Sequence, residues 1–458
     1  MRVLTRVRPA AAGVLAVGLL LGSSVVGLAS APAASADDIR NREYWLEDYG
    51  IAKAWDVSKG AGVKVAIIDS GVDGTHQDLK GAVVGGTDVS GSGSANGQKG
   101  IGSEPVHGTL VASLLAGRGH AGSSASASAS GKASASAKAS RAGAGPDGVI
   151  GVAPEAQLLS VSAWLGSPNP SGKSIDEQIP DAVHWAVDHG AKVINMSLGS
   201  TSTAWPQSWD EAFLYAEQQD VVIVAAAGNR ATGSAQVGAP ATIPGVLAVG
   251  GLNYDGTASK DSSSQGITIG VSAPAEKLVG GLPGGGYADW SGTSGAAPIV
   301  SGVAALIRSR YPDMSAAQVI NRIISTAKPA GSPRPNAIYG YGLLDAEAAL
   351  TANVAPVKAN PLGNIADWIR IHRRGAVPTP PTQPPAPPSA AGPSLPEPTA
   401  PVALPPSKLD SALPMALVLG FSGLLLLLVA AGSVHVLVAR RRLREGEPES
   451  NPSASGNS

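Results

Sequence analysis

The chain has no cysteine among its 458 residues. That absence excludes thiolate nucleophiles, cysteine-ligated zinc and disulfide staples together. Charge is sparse as well: Asp, Glu, Lys and Arg make up 15% of the residues and the formal net charge is -1. No basic surface is on offer for nucleic acid or another polyanion. Aromatic residues are 4% of the chain, and several of them, Tyr44, Trp45, Tyr49 and Trp55, gather near its start. No cofactor or metal ion is expected.

What the chain does have is unevenly spread. Arg2, Arg6 and Arg8 precede an apolar stretch from Ala10 to Leu28, and Ala34-Ser-Ala36 follows as a small-residue cleavage site, so residues 1–36 read as a secretory signal peptide. Residues 37–62 form an N-terminal extension, too short to hold a core of its own and suited to packing on the surface of the larger domain after it. Near the other end, residues 413–439 carry no charge and are long enough to cross a bilayer. Arg440, Arg441, Arg442 and Arg444 follow at once, placing a short tail (440–458) in the cytoplasm. The expected product is a single-pass type I protein of the cell membrane, its bulk outside the cell. Residues 354–412, richest in proline from Pro378 to Pro406, read as an extended stalk that tethers the folded part to the span.

Between extension and stalk, residues 63–353 alternate short apolar strands with helical segments. The strands are Val63–Ile68, Leu158–Val161, Val193–Met196, Val221–Ala227 and Val246–Val249. The helices are Leu110–Ala116, Ile175–His189, Trp209–Gln219, Ser315–Ala327 and one near Leu344–Leu350. Strands buried on both faces and alternating with helices imply an α/β fold with a mostly parallel sheet. Ser174 and Glu177 make a capping box, which requires Pro180 to lie in the first turns of its helix or to kink it. From 119 to 145 the chain is almost entirely Ala, Ser and Gly, with too little apolar surface to fold, and reads as a disordered loop.

Four polar residues stand at the ends of these elements. Val65-Ala-Ile-Ile68 runs directly into Asp69, and in doubly wound sheets functional groups collect at that carboxyl edge. His107-Gly-Thr-Leu-Val-Ala112 starts the next apolar helix. Ala225-Ala-Ala-Gly-Asn229 ends the strongest strand with an amide. Ser294, in Ser291-Gly-Thr-Ser294-Gly-Ala-Ala-Pro298, opens a long apolar helix whose dipole and free N–H groups face developing negative charge. Each signal alone is ordinary: a turn, a packing histidine, a helix cap. Asp, His and Ser in that order, with an Asn between the last two, fit nucleophilic acyl transfer. His76, His184 and His189 read as structural or surface residues, and Asp73 as a turn former.

At this point the motifs AIIDSGVDGTHQDL, HGTLVAS, VINMSLGS, VVIVAAAGN and SGTSGAAPIVSGVAALI resemble those of subtilisin-like serine proteases, over roughly Tyr44 to Leu350. The resemblance implies a three-layer α/β fold and an Asp69–His107–Ser294 triad, with Asn229 in the oxyanion hole. It further implies that Ser197, Leu198 and Gly199 pair with a polypeptide substrate and, with Ala226, Ala227 and Gly228, wall a specificity pocket. Gly295 stands where the family commonly has Met or an aromatic. The layout of signal, extension, low-complexity insertion, stalk and span is similar to that of mycosins, the membrane-anchored subtilases of type VII secretion systems. Many mycosins carry cysteines, which this chain lacks. The resemblance implies a tethered endopeptidase that processes exported proteins, associates with the secretion membrane complex, and keeps an extension wrapped around an open cleft. The alternatives are a subunit that chiefly stabilises that complex, or an unspecialised surface subtilase.

Overall fold

The computed structural model describes residues 36–121 and 145–373. The expected signal peptide before Ala36, residues 122–144 of the Ala/Ser segment, the stalk beyond Arg373, the span and the tail lie outside the described residues. Among the described residues no helix is long and apolar enough to cross a membrane.

The extension contributes three short helices, α1 (Ala36–Arg40), α2 (Trp45–Asp48) and α3 (Ile51–Ala54). Then come β1 (Lys64–Asp69), β2 (Val83–Asp88), α4 (His107–Ala116), β3 (Arg118–His120), β4 (Asp147–Ile150), β5 (Gln157–Ser162), α5 (Ile175–Asp188) and β6 (Val193–Met196). The chain continues through α6 (Asp210–Gln218), β7 (Val222–Ala226), β8 (Leu247–Leu252), β9 (Ile269–Pro274), β10 (Leu278–Gly281), β11 (Tyr287–Trp290) and α7 (Thr293–Arg310). It closes with α8 (Ala316–Ser325), α9 (Ala346–Thr351) and α10 (Ile365–His372).

Seven strands pair in the order β2-β5-β1-β6-β7-β8-β9, all parallel. The two-residue alternation of each strand divides its side chains between two cores. Val65 and Ile67 of β1 join one core with Val222 and Val224 of β7, under α4, α7, α8 and α9. Ala66 and Ile68 face the opposite core with Ile223 and Ala225, under α5, α6 and α10. This three-layer packing is why the strands read as continuous apolar runs.

Four expectations change in detail. First, the extension packs on the domain more deeply than a surface segment: Ile39, Trp45, Leu46, Tyr49, Ile51 and Ala54 join its core, with α1 against β4 and α3 against α9. Its polar groups are paired there, with the indole of Trp55 donating to Val152 O (2.8 Å) and the Tyr44 hydroxyl to Glu276 O (2.9 Å). Burial pushes the Glu43 carboxyl well above the usual range, against the opposing pull of the Ile150 N–H and Arg40. Second, α4 does start at His107, and its first turn extends the Leu110–Ala116 stretch through Gly108 and Thr109, poor helix formers that the apolar pattern leaves out. Third, the Ala/Ser segment does not begin at Gly119, since Gly119 and His120 lie in β3, paired with β4. Fourth, residues 354–373 are not stalk. They fold back on the domain, burying Ile365 and ending in α10.

Pro180 sits well inside α5 and leaves the Asp176 carbonyl without its helical donor. The Ser208 hydroxyl takes that place at 3.0 Å.

Candidate active site

The carboxyl ends of β5, β1 and β6 open into a cavity of about 750 Å³. Asp69, His107 and Ser294 lie on its wall, which Ser197, Leu198, Gly199, Trp164, Leu165, Ile175 and Trp209 also line. No residue of the described extension lines it.

Asp69 is the last residue of β1 and is fully buried. Its carboxylate accepts from the Ser70 N–H at 2.7 Å and lies 2.9 and 3.0 Å from Nδ1 of His107. The contact sets the tautomer: Nδ1 carries the proton toward Asp69, leaving the Nε2 lone pair free to accept one. Gly108 makes this distance reachable, since a Cβ there would come within 2.3 Å of Gly71 O. The Ser70 hydroxyl adds an anchor by accepting from the Gly108 N–H (3.0 Å). Burial alone would lower the His107 pKa, but the charge of Asp69, the hydrogen bond to it and the more distant Glu104 outweigh that and hold it above the ordinary 6.5.

Ser294 occupies the first turn of α7, where N–H groups have no partner inside the helix. Its hydroxyl donates to Ser197 O at 3.2 Å and must redirect that proton to give it to His107. Pro298, one turn on, cannot donate to the Ser294 carbonyl. The Ser197 hydroxyl does so instead, at 2.7 Å. Ser197 is in turn held by Asn195 Nδ2 (2.9 Å), whose Oδ1 accepts from the Ser301 hydroxyl (2.9 Å). This buried chain pins the start of α7 to the end of β6.

Asn229 comes just after β7. Its Oδ1 accepts from the Thr293 N–H at 2.8 Å and the Thr293 hydroxyl at 3.0 Å. With the oxygen thus committed, the NH₂ group is the one left to donate. Thr293 is itself fixed by accepting from the Gly228 N–H (3.1 Å). Ser197, Leu198 and Gly199 line the cavity, whereas Ala226, Ala227 and Gly228 do not. The two segments run side by side, with Ala226 O 3.9 Å from where a Cβ on Gly199 would stand. Gly295 is explained by its neighbours. A Cβ there would meet Leu278 Cδ1 at 2.2 Å, with Leu114 and Trp290 at 3.4 Å, so Leu278 fills the space of a larger side chain.

The other described histidines fall outside the cavity. His76 is buried, accepting from the Asp78 N–H and facing Gly286 O; His184 lies on α5 against Glu211, and His189 follows its end, against Trp185 O. Asp73 closes its turn by accepting from the Thr75 N–H (2.9 Å). Sequence reasoning did not single out Thr293, Ser70, Asn195 or the hydroxyl of Ser197. All four stand inside motifs quoted for other residues, and none carries a signal separable from ordinary packing.

The model of a family described as Peptidase_S8, Subtilase family, matches residues 60–342. Subtilisin DY of Bacillus licheniformis is 38% identical over 296 residues, covering 64% of this chain and 92% of the relative. Fervidolysin from Fervidobacterium pennivorans, a keratinolytic enzyme related to subtilisin, has a similar structure. Its TM-score is 0.58 at 29% identity, covering 70% of this chain but 47% of that one. The MycP3 protease from the type VII (ESX-3) secretion system gives a TM-score of 0.53 at 31% identity, covering 71% of this chain and 90% of that one.

Proposed function

The chain belongs to the subtilase family and is a serine endopeptidase, and on that premise we propose that Ser294 is its nucleophile, His107 the general base and Asp69 the group that orients it. The observation that carries this is the buried Asp69 carboxylate bonded to His107 Nδ1 on the wall of the cavity that also holds Ser294. His107 Nε2 takes the Ser294 proton as Oγ attacks the scissile carbonyl, and later returns it to the leaving amine. The carbonyl oxygen then carries negative charge. Asn229 Nδ2 and the Ser294 N–H are the donors placed to receive it.

An Asn229→Ala variant is therefore expected to lose about 10²–10³ in kcat with little change in KM, because the amide acts on charge that exists only in the transition state. Steady-state kinetics on a chromogenic peptide check this; a loss confined to KM would remove Asn229 from the role.

We further propose that the enzyme is tethered to the cell membrane and trims exported proteins of a type VII secretion system. Support comes from the signal, stalk and uncharged run in the sequence, from an extension packed away from the cleft, and from the likeness to MycP3. Subtilisins and fervidolysin match about as well, so the tethered layout carries most of the weight. The test compares the extracellular proteome of cells carrying the wild-type protein with that of Ser294→Ala cells. New amino termini on exported type VII substrates are expected only in the former. Identical termini in both would overturn the assignment.

A further inference from the structure

The family match ends at residue 342, yet the chain stays folded to Arg373. The last part, α10, runs antiparallel along α6 and is tied at both ends. At its start, the Asn364 side chain and the Ile365 N–H donate to the carboxylate of Glu217, near the end of α6. At its finish, Arg373 reaches Asp210, the first residue of α6, through Nε (2.7 Å) and Nη2 (3.3 Å). Nη2 also donates to Trp205 O at 3.0 Å. The guanidinium lies beside a pair of indoles whose ring centres are 4.3 Å apart, 5.7 Å from that of Trp205 and 4.9 Å from that of Trp368. Planar and forked, it bonds the Asp210 carboxylate twice while flanking the indole pair, a use that lysine cannot reproduce.

What this group holds is a wall of the substrate cavity. Asp210 is the residue after Trp209, which lines that cavity. The indole N–H of Trp209 is buried and finds no acceptor among the described residues. Its ring is therefore placed by packing, stacked on Phe213 at 6.0 Å, and by the bonds that fix the residues beside it. Upstream, residues 200–203 are bonded to the loop at 239–242, and Ser200 lines the same cavity. Between these points Trp205 is held by Arg373, and its own indole N–H donates to Asp210 at 2.7 Å.

We infer that Arg373 is a positioning residue for substrate selection: by clamping Trp205 and Asp210 it sets the Trp209 wall, so the segment leading to the stalk takes part in specificity. The inference rests on the serine endopeptidase reading, and two readouts separate the two. A small fluorophosphonate reacts with Ser294 without needing that wall, whereas a peptide with a large apolar residue must lie against it.

The experiment uses the full-length protein and its Arg373→Ala and Arg373→Lys variants. Peptides are varied between large and small apolar residues at each position preceding the scissile bond. In Arg373→Ala the preference for a large residue at one of these positions is expected to fall about tenfold, through KM. The fluorophosphonate labelling rate stays at the wild-type value. Arg373→Lys, which keeps the charge but loses the fork, falls in between and guards against a variant that does not fold. Hydrogen exchange is expected to quicken over residues 200–210 and to stay unchanged in β6. Unaltered selectivity in both variants overturns the clamp, as does labelling that drops in step with selectivity, since that marks a purely structural role. A wild-type enzyme that fails to label removes the nucleophile reading and the clamp with it.

Discussion

Ser294→Ala is expected to lower kcat by about a millionfold, leaving the residual rate that binding and the oxyanion donors supply. The size reflects the job of the side chain. Without Oγ no acyl-enzyme forms, and His107 has no proton to take from it. Because the two act as one unit, His107→Ala alone should cost about as much, and the double variant hardly more. Single-turnover kinetics with an activated ester report the acyl-enzyme directly as a burst. Fluorophosphonate labelling followed by intact mass then locates the adduct. A Ser294→Ala protein that keeps a burst, or still takes the label, would place the nucleophile elsewhere.

The next largest effect belongs to Asp69. Asp69→Asn keeps the shape but replaces an acceptor with a group that can donate to Nδ1, favouring the wrong imidazole tautomer, and a loss of about 10⁴ in kcat is expected near neutral pH. The pH dependence gives a second, independent signature. His107 works as a base only when neutral, so wild-type activity falls as pH drops through its pKa, which Asp69 holds above 6.5. Removing the charge should move that limb toward lower pH. The effect on stability runs the other way. A raised folded-state pKa means that protonated His107 stabilises the fold below its unfolded value, and this contribution is lost as pH rises through the folded one. The unfolding midpoint of the Ser294→Ala protein, immune to self-digestion, should show this small slope, and the Asp69→Asn form of it should not. A kcat/KM limb that stays in place in Asp69→Asn would mean another group sets the His107 titration.

The sheet and the site were legible to different degrees, for physical reasons. β1, β6 and β7 are buried on both faces, so their runs of Val, Ile and Ala announce themselves, and the Asp and Asn that end β1 and the β7 turn are visible by contrast. β2 and β9 were missed because glycine and polar residues interrupt them. Gly86 of β2, for instance, lies so near Ser160 that a Cβ would come within 2.5 Å of its carbonyl oxygen. That constraint comes from a neighbouring strand, and no local pattern encodes it. α10 was within reach: Asn364 caps it, and Ile365, Trp368 and Ile369 mark an apolar stripe. The proline-rich composition beyond it drew the boundary too early. The supporting polar groups were not within reach. Thr293 meets Asn229 from 64 positions away and Ser301 meets Asn195 from 106, pairings that only the folded chain brings together.

Pro298 gives the nucleophile an unusual frame of reference. In an uninterrupted helix the Ser294 peptide would be positioned by its own next turn, and any bending of α7 would carry the serine with it. With that bond forbidden, its carbonyl answers to Ser197, a residue of the same strand end that lines the substrate cavity. The attacking group and the surface it faces thus share one coordinate system. A shift of the long helix would stretch the link to Ser197 before it could misalign serine and substrate.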